Sequence, residues 1–522
     1  MKHTHTTPKK WLGLSLLPIL FQPLAAQDPT FSLAAAGDNF EFGTAFAAAG
    51  DVNGDGMPDI AVSDRSARVD SFFASGAVYV LSGLDGSLLR RHTGNPAPSQ
   101  NFGSSLASLD ADGDGIPDLA VGSPGESVGG SYGSGAVRIH SGADGSVLVT
   151  VTGAPQSQLG SSLANAGDQN GDGCDDLYAG APLGDGYRGQ VLVISGKDGS
   201  ILRTVGTDVS SSSFGRGVVA MDDIDGDGLR DLAVSAPGYR SGGFNPVGRV
   251  QLIRSSDSSV AAQVAGSGTY AQLGLSIAPA TDVDGDGLAE LMIGSFSTGT
   301  ARLVSGADFS LVRDLSIPTL PPFRPLTVGG ALDYDNDGTT DWLLGSSAFG
   351  TLNGTLVGGV RIVSGADGST LFEKTAGAPY TGLGDFLTVL PGLGFAAGEP
   401  SLRDAVTGGY GAAHIWVLSQ DSDGDGIPDS EDANPNSNNE PNIVIGGIDT
   451  GVANSVDEQG VTLADRFDDL GTVEDYRNEA LYFVAVLHLA KELGDAGLLD
   501  GQSFRQLTGA TRSNTVGNKG KR

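Results

Sequence analysis

The chain has 522 residues and a formal charge of −32 at pH 7, from 62 acidic and 30 basic side chains. This length can bury a large hydrophobic core, either as several domains or as one closed repeat array. The acidic excess argues against nucleic acid as a partner, because no basic patch offsets it. Cys174 is the only cysteine, so the chain forms no internal disulfide.

Residues 1–26 are typical of a secretory signal peptide. Three lysines precede an apolar run from Trp11 to Phe21, and Leu24-Ala-Ala26 is a suitable cleavage site. The alternative, a membrane anchor, is disfavoured because the run is too short to cross a bilayer, and no later segment is long and apolar enough to do so. We therefore expect a secreted or cell-surface protein with no membrane span in the mature chain, and a periplasmic location stays open.

A nine-residue acidic loop occurs six times. Each copy has an oxygen-bearing side chain at positions 1, 3, 5 and 9, and a glycine at position 6. Of these 24 side chains, 22 are acids and two are asparagines. Loop by loop, the candidate ligands are Asp51, Asn53, Asp55 and Asp59; Asp110, Asp112, Asp114 and Asp118; Asp168, Asn170, Asp172 and Asp176; Asp223, Asp225, Asp227 and Asp231; Asp282, Asp284, Asp286 and Glu290; and Asp333, Asp335, Asp337 and Asp341.

These loops favour a hard cation. Short oxygen-bearing side chains at alternate positions can converge on one ion, and the glycine allows the sharp turn that this requires. Magnesium prefers a rigid octahedron and keeps its waters, so this many protein oxygens favour calcium. The alternative is a set of solvated turns, but the repeated spacing argues against it. The sequence therefore predicts about six calcium ions.

The loops also mark an internal repeat, because their start points are 59, 58, 55, 59 and 51 residues apart. Repeats of this length are typical of solenoids and propellers. Five of the six units open with Phe-Gly or Leu-Gly, and a small-residue strand, the acidic loop and a short apolar strand follow in each unit. A third strand then begins with glycine, and an Asp-Gly hairpin signal commonly leads to a fourth. Four short antiparallel strands per unit describe a propeller blade.

A seventh unit is degenerate. Leu383-Gly384 opens it, but its Pro391–Gly394 turn carries no acid, so we predict no metal there. Its third strand, Gly411–Ser419, has no fourth partner before the chain changes character. Phe31–Ala36, at the other end, has no blade of its own. We predict that this N-terminal strand completes the seventh blade and removes the last exposed sheet edges.

Over residues 27–419 the Phe-Gly opening, the acidic loop and the Gly-Ala-Pro-like ending of the second strand resemble FG-GAP repeats, as in the integrin α-subunit propeller. The resemblance implies a seven-bladed propeller with calcium in hairpin loops on one face. The sequence departs from the family in carrying six metal loops, which is more than is usual. The other segments resemble no integrin domain, so receptor signalling is not implied.

Two further segments follow the repeats. Residues 420–441 resemble a thrombospondin type 3 calcium repeat and a polar linker. One or two more ions are expected at Asp421, Asp423, Asp425, Asp429 and Asp432. Residues 442–522 resemble a small C-terminal module of exported bacterial proteins, marked by Ile448–Asn454 but without the cysteines expected there. The apolar spacing over Val473–Leu493 predicts that this module is mostly helical, ahead of a basic tail.

Other motifs are weaker. Gly129–Gly133 matches a nucleophile elbow and Gly184–Gly189 matches a dinucleotide fingerprint, but neither has the strand–turn–helix context that its chemistry requires. His140 and His414 occupy equivalent third strands and are expected to be packed or edge residues. No catalytic constellation is visible, so we expect no catalytic residues, no organic cofactor and no enzyme.

Together these patterns predict an all-β, seven-bladed β-propeller with calcium-binding hairpin loops and a small, mainly helical C-terminal module. The expected function is a non-enzymatic binding or adhesion module for an extracellular protein, matrix or glycan partner. Two alternatives stay open. One is a propeller-based secreted enzyme acting on polysaccharide or lipid, and the other is a structural component of the cell envelope.

Overall fold

The computed structural model describes residues 29–34, 41–207, 209–210, 212–297, 299–316, 324–335, 337–352, 355–402, 410–418, 442–445, 448–453, 486, 488–491 and 493. The chain divides into two units, residues 1–418 and 419–522. The predicted signal peptide and the calcium repeat over 421–432 lie outside the described residues, so both remain predictions. No helix among the described residues is long and apolar enough to cross a membrane.

Blades one to six of the first unit are four-stranded antiparallel sheets in which each strand pairs with the next. Blade by blade, the strands are β2 (Phe42–Gly50), β3 (Asp59–Asp64), β4 (Ala77–Leu81) and β5 (Leu88–Thr93); β6 (Leu106–Leu109), β7 (Asp118–Ser123), β8 (Ala136–His140) and β9 (Val147–Thr152); β10 (Ser162–Gly167), β11 (Asp176–Ala181), β12 (Gln190–Ile194) and β13 (Ile201–Gly206); β14 (Val218–Ala220), β15 (Leu232–Ala236), β16 (Arg249–Ile253) and β17 (Val260–Ala265); β18 (Ile277–Pro279), β19 (Leu291–Gly294), β20 (Thr300–Val304) and β21 (Leu311–Ser316); and β22 (Thr327–Leu332), β23 (Asp341–Leu352), β24 (Thr355–Val363) and β25 (Thr370–Thr375). A four-residue helix, α1 (Gly184–Tyr187), lies between β11 and β12.

The seventh blade joins the two ends of the propeller. Its strands are β26 (Phe386–Leu390), β27 (Gly394–Gly398), β28 (Ala412–Val417) and the N-terminal β1 (Phe31–Ala34), with β1 paired to β28. Ser32 lies opposite His414 in this antiparallel register. The Val417 N–H also donates to Thr30 Oγ1 at 3.0 Å. The predicted N-terminal closing strand is therefore confirmed.

The first strands of the blades form a closed ring. β2, β6, β10, β14, β18, β22 and β26 contact one another in this order, and β26 contacts β2 again. Each neighbouring pair of blades buries its own apolar cluster. For example, Val62 of blade one packs with Ile415 of blade seven, and Ile362 of blade six packs with Phe395 of blade seven. The predicted all-β, seven-bladed propeller is confirmed.

A proline directly follows the second strand in blades two, three and four. β7 and β11 stop immediately before Pro124 and Pro182, because proline has no N–H to continue the ladder. In blade six Ser347 stands at this place, and β23 continues to Leu352. Its partner β24 begins at Thr355, earlier than the Gly359 that the repeat pattern predicts. Blade six is therefore a longer hairpin than the other blades.

The glycine before the third strand packs against the next blade. A Cβ on Gly135 would lie 2.3 Å from the backbone N and O of Leu159, which opens blade three. Gly189 meets Phe214 of blade four in the same way, and both glycines have positive φ. Their backbones form parallel bridges to those residues. This glycine therefore allows each blade to dock closely on the next.

Gly135→Ala should destabilise the propeller by roughly 3 kcal/mol or more, because the new Cβ overpacks the blade junction at a left-handed φ. Urea unfolding of the full chain measures this loss. Gly243→Ala is the matched control, since Gly243 has no atom within 4 Å of its built Cβ and no positive φ. Equal stability of the two variants would contradict the close-docking role.

The described part of the second unit contains an antiparallel hairpin of β29 (Asn442–Ile445) and β30 (Ile448–Ala453). The helical pattern did not predict this hairpin, which includes most of the Ile448–Asn454 marker. Residues 486, 488–491 and 493 are helical and fall inside the helix predicted over Val473–Leu493. That the module is mostly helical stays a prediction.

Candidate metal sites and the opposite end of the propeller

The six acidic loops connect the first and second strands of blades one to six. In blade two the loop starts at Asp110, after β6, and Asp118 is the first residue of β7. Gly113 and Gly115, at positions 4 and 6, have φ of +77° and +82°. From the sequence, only the glycine at position 6 is predicted to be required for this turn. Both glycines adopt the left-handed backbone that lets the loop fold back on its first carboxylate.

The carboxylate at position 1 is surrounded by backbone N–H groups of its own loop. Gly113 donates to Asp110 Oδ1 at 2.8 Å, and Gly115 donates to Oδ2 at 3.0 Å. Equivalent bonds to Asp168 and Asp223 lower the pKa of these carboxyl groups. The pKa falls because the N–H groups stabilise the charged form. In the loops of blades three and four, the carboxylate at position 1 is therefore oriented and its charged form is favoured.

Positions 1, 3 and 9 converge in four loops. Each group offers three carboxylate oxygens that lie within 4.8 Å of one another. The groups are Asp110, Asp112 and Asp118; Asp223, Asp225 and Asp231; Asp282, Asp284 and Glu290; and Asp333, Asp335 and Asp341. Three like charges this close repel one another, so the arrangement suits a hard divalent cation that accepts oxygen ligands.

The other two loops carry asparagine at position 3 and keep the same turn. Asn170 Oδ1 accepts the N–H of Asp172 at 2.9 Å, as Asp112 Oδ1 accepts the N–H of Asp114 at 3.2 Å. An amide oxygen is also a suitable ligand for calcium. Asn53 and Asn170 therefore preserve the donor geometry with one charge fewer.

Position 5 lies outside the four groups. The Asp114 carboxylate caps the loop by accepting the N–H of Ile116 at 2.8 Å. Its counterparts in blades one and five, Asp55 and Asp286, also accept a hydroxyl hydrogen bond from the serine after the third strand. That position 5 is a metal ligand stays a prediction.

Position 9 has a structural role that the sequence pattern did not reveal. Asp118 is 1% exposed. It accepts the N–H of Ala111 in its own loop at 2.9 Å and the N–H of Gly142, after the third strand, at 2.8 Å. The same two bonds recur at Asp59, Asp176, Asp231 and Asp341. This carboxylate therefore ties the loop to the next turn of its blade.

Blade five departs from this scheme. Glu290 has one more methylene than aspartate, and it takes both N–H groups from its own loop, those of Val283 at 2.9 Å and Asp284 at 3.0 Å.

Calcium binding in blades two and three should weaken as the pH falls from 7 to 5. Burial raises the pKa of Asp118 and Asp176 to about 6, so protons compete with the cation below that pH. The affinity should fall by roughly tenfold for each pH unit below the pKa. Isothermal titration calorimetry at both pH values tests this, and equal affinities would contradict it.

The same rise in pKa has the opposite effect on the stability of the metal-free protein, which increases as the pH falls. A folded-state pKa above the unfolded value of 3.8 means that protonation favours the fold. This contribution of Asp118 and Asp176 is complete below pH 3.8 and is lost as the pH rises through about 6. A bound cation therefore stabilises the fold most at neutral pH, where these buried carboxylates lose their protons.

Loops at the opposite end of the propeller carry exposed aromatic side chains. Successive strands of a meander run in opposite directions, so the loops between second and third strands lie at the end away from the acidic loops. The linkers between blades share that end, since Ser99 of the linker donates its N–H to Phe73 O at 3.2 Å. We call this set the aromatic end: Phe72, Phe73, Tyr132, Tyr187, Phe244, Tyr270, Tyr380 and Tyr410.

Exposure at the aromatic end is high. Phe244 is 98% exposed, Tyr380 77% and Tyr132 66%. A single exposed aromatic side chain is ordinary, but here such side chains recur on the loops and linkers of successive blades at one end of the propeller. The sequence contained this signal, because an aromatic residue follows the second strand in several repeats.

The weaker motifs lack the strand–turn–helix context that their chemistry requires, as predicted from the sequence. Gly129–Gly133 is in the loop from β7 to β8, where Val128 and Ser131 pair, and no helix follows it. Gly184–Gly189 includes α1 and leads into β12, which is not a nucleotide-binding turn. His140 is packed, as expected, with its ring centroid 4.3 Å from that of His92.

Comparison with known proteins is consistent with this geometry. The FG-GAP repeat model matches residues 102–140, 159–194 and 214–253, which are the first three strands of blades two, three and four. Integrin alpha-V of Gallus gallus is 30% identical over 213 residues, covering 37% of this chain and 20% of the relative. These matches support an integrin-α-like propeller.

Two further relatives agree. Integrin alpha-7 of Homo sapiens is 37% identical over 150 residues, covering 26% of this chain and 12% of the relative. Integrin alpha-PS5 of Drosophila melanogaster is 31% identical over 151 residues, covering 26% of this chain and 15% of the relative. The chain therefore aligns with a fifth or less of the length of these integrin α chains.

Proposed function

We propose that this protein is an exported, calcium-binding β-propeller that acts as a binding or adhesion module. The observation that carries the proposal is the aromatic end, where eight exposed Phe and Tyr side chains stand on loops of a rigid ring. Aromatic residues are enriched at interfaces, where they provide large contact area at low entropic cost. The integrin-α-like propeller supports the same class of function.

The partner's chemistry follows from these side chains. Phenylalanine rings provide apolar contact, whereas tyrosine also offers a hydroxyl group for hydrogen bonds. Such a surface suits an extracellular protein or a glycan, the two classes that we propose. The net charge of −32 disfavours anionic partners such as nucleic acid.

Calcium would act on the scaffold and not on the partner. We propose about six ions in the propeller loops and one or two in the 421–432 repeat. The loops lie at the end away from the aromatic side chains, so a bound ion there stabilises the blade that presents a distant binding loop. Binding should therefore depend on calcium without direct contact between the ion and the partner.

Retention of the mature chain, residues 27–522, on a panel of glycans and matrix proteins tests the proposal. We expect calcium-dependent retention on one ligand class, with loss in chelator. The double variant Phe244→Ala/Tyr132→Ala should weaken retention by roughly tenfold or more, because buried aromatic anchors commonly contribute ~2 kcal/mol each.

Leu84→Ala is the matched control, since Leu84 is also exposed but lies in the turn after β4, at the acidic end. Calcium content and melting temperature should be unchanged in both variants. Full retention by the double variant would exclude the aromatic end as the binding surface. A lack of retention on any ligand would favour the structural or enzymatic alternatives.

A further inference from the structure

A cavity of about 340 Å³ opens between blades six and seven. Its lining includes Ser32, Lys374, Leu383, Glu399, His414 and Trp416. The cavity uses neither the acidic loops nor the aromatic end. It lies beside the junction at which β1 closes the propeller.

Three of its side chains form a hydrogen-bonded chain. Ser32 Oγ is 3.0 Å from His414 Nδ1, and His414 Nε2 is 3.0 Å from Glu399 Oε2. An ionised Glu399 accepts the Nε2–H, which leaves the Nδ1 lone pair to accept the Ser32 hydroxyl hydrogen. A hydroxyl, an imidazole base and an orienting carboxylate in this order make an activated nucleophile. Such a triad is defined by the geometry and roles of its residues. Here the serine contacts Nδ1 and the carboxylate contacts Nε2, which is the reverse of the usual arrangement.

The sheet fixes this geometry. Ser32 on β1 is the cross-strand partner of His414 on β28. Glu399 directly follows β27, and its backbone N–H donates to Ala412 O at 2.8 Å. Trp416, two residues beyond His414, stacks on Phe395 with ring centroids 4.7 Å apart. Rigid strands therefore hold all three side chains, which is the support that a catalytic constellation needs.

A second observation indicates a ligand. Glu399 is 5% exposed, and its Oε1 has no hydrogen-bond partner among the described residues. A buried acceptor without a donor is costly, so this oxygen favours a hydrogen-bond donor in the cavity, and the water that hydrolyses an ester is such a donor. Ser32, in contrast, is exposed, as a nucleophile that meets a substrate must be.

We propose that Ser32, His414 and Glu399 form an acyl-transfer site that cleaves small carboxylic esters. Ser32 Oγ attacks the carbonyl carbon, and its proton passes to His414 Nδ1. The ester C–O bond breaks, the alcohol leaves with that proton, and the acyl group stays on Ser32. Water then attacks the acyl group and gives a proton to His414 Nδ1. Ser32 leaves with this proton and the acid is released.

Two groups support the charges of this reaction. Ionised Glu399 stabilises the imidazolium that forms on His414. Lys374 also lines the cavity, and a positive charge on its ammonium group would favour the carbonyl oxyanion. The cavity volume of about 340 Å³ is at the lower end of the range for sites that hold small molecules.

The hydrogen-bonded chain also joins β1 to β28, but backbone pairing over Phe31–Ala34 already does so. A purely structural link needs no exposed serine and no cavity. The two roles are separable by experiment, because a structural serine is not chemically activated.

The test uses the full chain, a fluorophosphonate probe that labels activated serines, and p-nitrophenyl acetate as substrate. We expect one phosphonate adduct on Ser32, located by peptide mass spectrometry, and ester hydrolysis that Ser32→Ala abolishes. His414→Gln should slow both reactions by roughly 100-fold or more. Ser200→Ala is the matched control, since Ser200 is an exposed serine of blade three and should leave both reactions unchanged.

The absence of a Ser32 adduct, or labelling that is equal in His414→Gln, would overturn the proposal. Thermal unfolding shows whether His414→Gln still folds. If it does not, the proposal is tested by comparing labelling and ester hydrolysis of the wild type with those of Ser32→Ala. Ser32→Ala should still be retained on the ligand of the aromatic end. Failure of this proposal is therefore distinguishable from failure of the proposed binding function.

Discussion

Chelating calcium should lower the melting temperature of the full chain by about 10–20 °C, because each site at hundredfold excess over its Kd contributes ~2.7 kcal/mol. The six loops act together in this respect, since each lies in a different blade of one closed ring. Their 22 acids also repel one another once the cations are removed. Differential scanning calorimetry in calcium and in chelator measures the shift.

The calcium count tests the same prediction independently. Mass spectrometry of metal content should give about six ions for the propeller, and Pro391→Ala in the acid-free turn of blade seven should leave that count unchanged. A propeller that binds two ions or fewer, or a melting temperature insensitive to chelator, would contradict calcium as the stabilising agent.

Asp118→Ala should destabilise the protein by roughly 2–5 kcal/mol even in chelator, because it leaves two buried backbone N–H groups without an acceptor, at ~1–3 kcal/mol each. The N–H groups are those of Ala111 and Gly142. The effect does not require a metal, since the bonds join the loop to its own blade. Urea unfolding in chelator measures this loss of stability without any contribution from calcium.

Asp114→Ala is the matched comparison in the same loop. Asp114 caps one exposed N–H, that of Ile116, and its removal should change metal-free stability by less than about 1 kcal/mol. In calcium, however, both variants should lose binding in blade two. Equal losses in chelator would show that position 9 does not brace the blade.

The fold was predictable because the same sequence signals for strands and turns occur in one unit after another. Phe-Gly or Leu-Gly steps, acidic loops and glycines before the third strand recur in most units, and each has one physical reason. The N-terminal strand was predictable as well, because Phe31–Ala36 lacked a blade and blade seven lacked a strand. The hairpin at Asn442–Ala453 was missed, since it stands once and has no repeat to support it.

The candidate sites were less predictable, for two reasons. An aspartate at position 9 looks the same in sequence whether it binds a cation or a backbone N–H, and only its burial in the folded blade distinguishes the two. Ser32 and His414 are 382 positions apart, so no spacing rule connects them. Closure of the ring places them side by side.

That closure also sets the order in which the protein can fold. β1 is synthesised first and pairs with one of the last strands of the propeller, so its native contacts span nearly the whole unit. Contacts this distant in sequence form slowly, because the intervening chain must already be ordered. Until then blade seven has an open edge that accepts β1 from any copy of the chain. At high concentration, refolding should therefore produce dimers that exchange this strand, whereas refolding at low concentration favours the closed monomer.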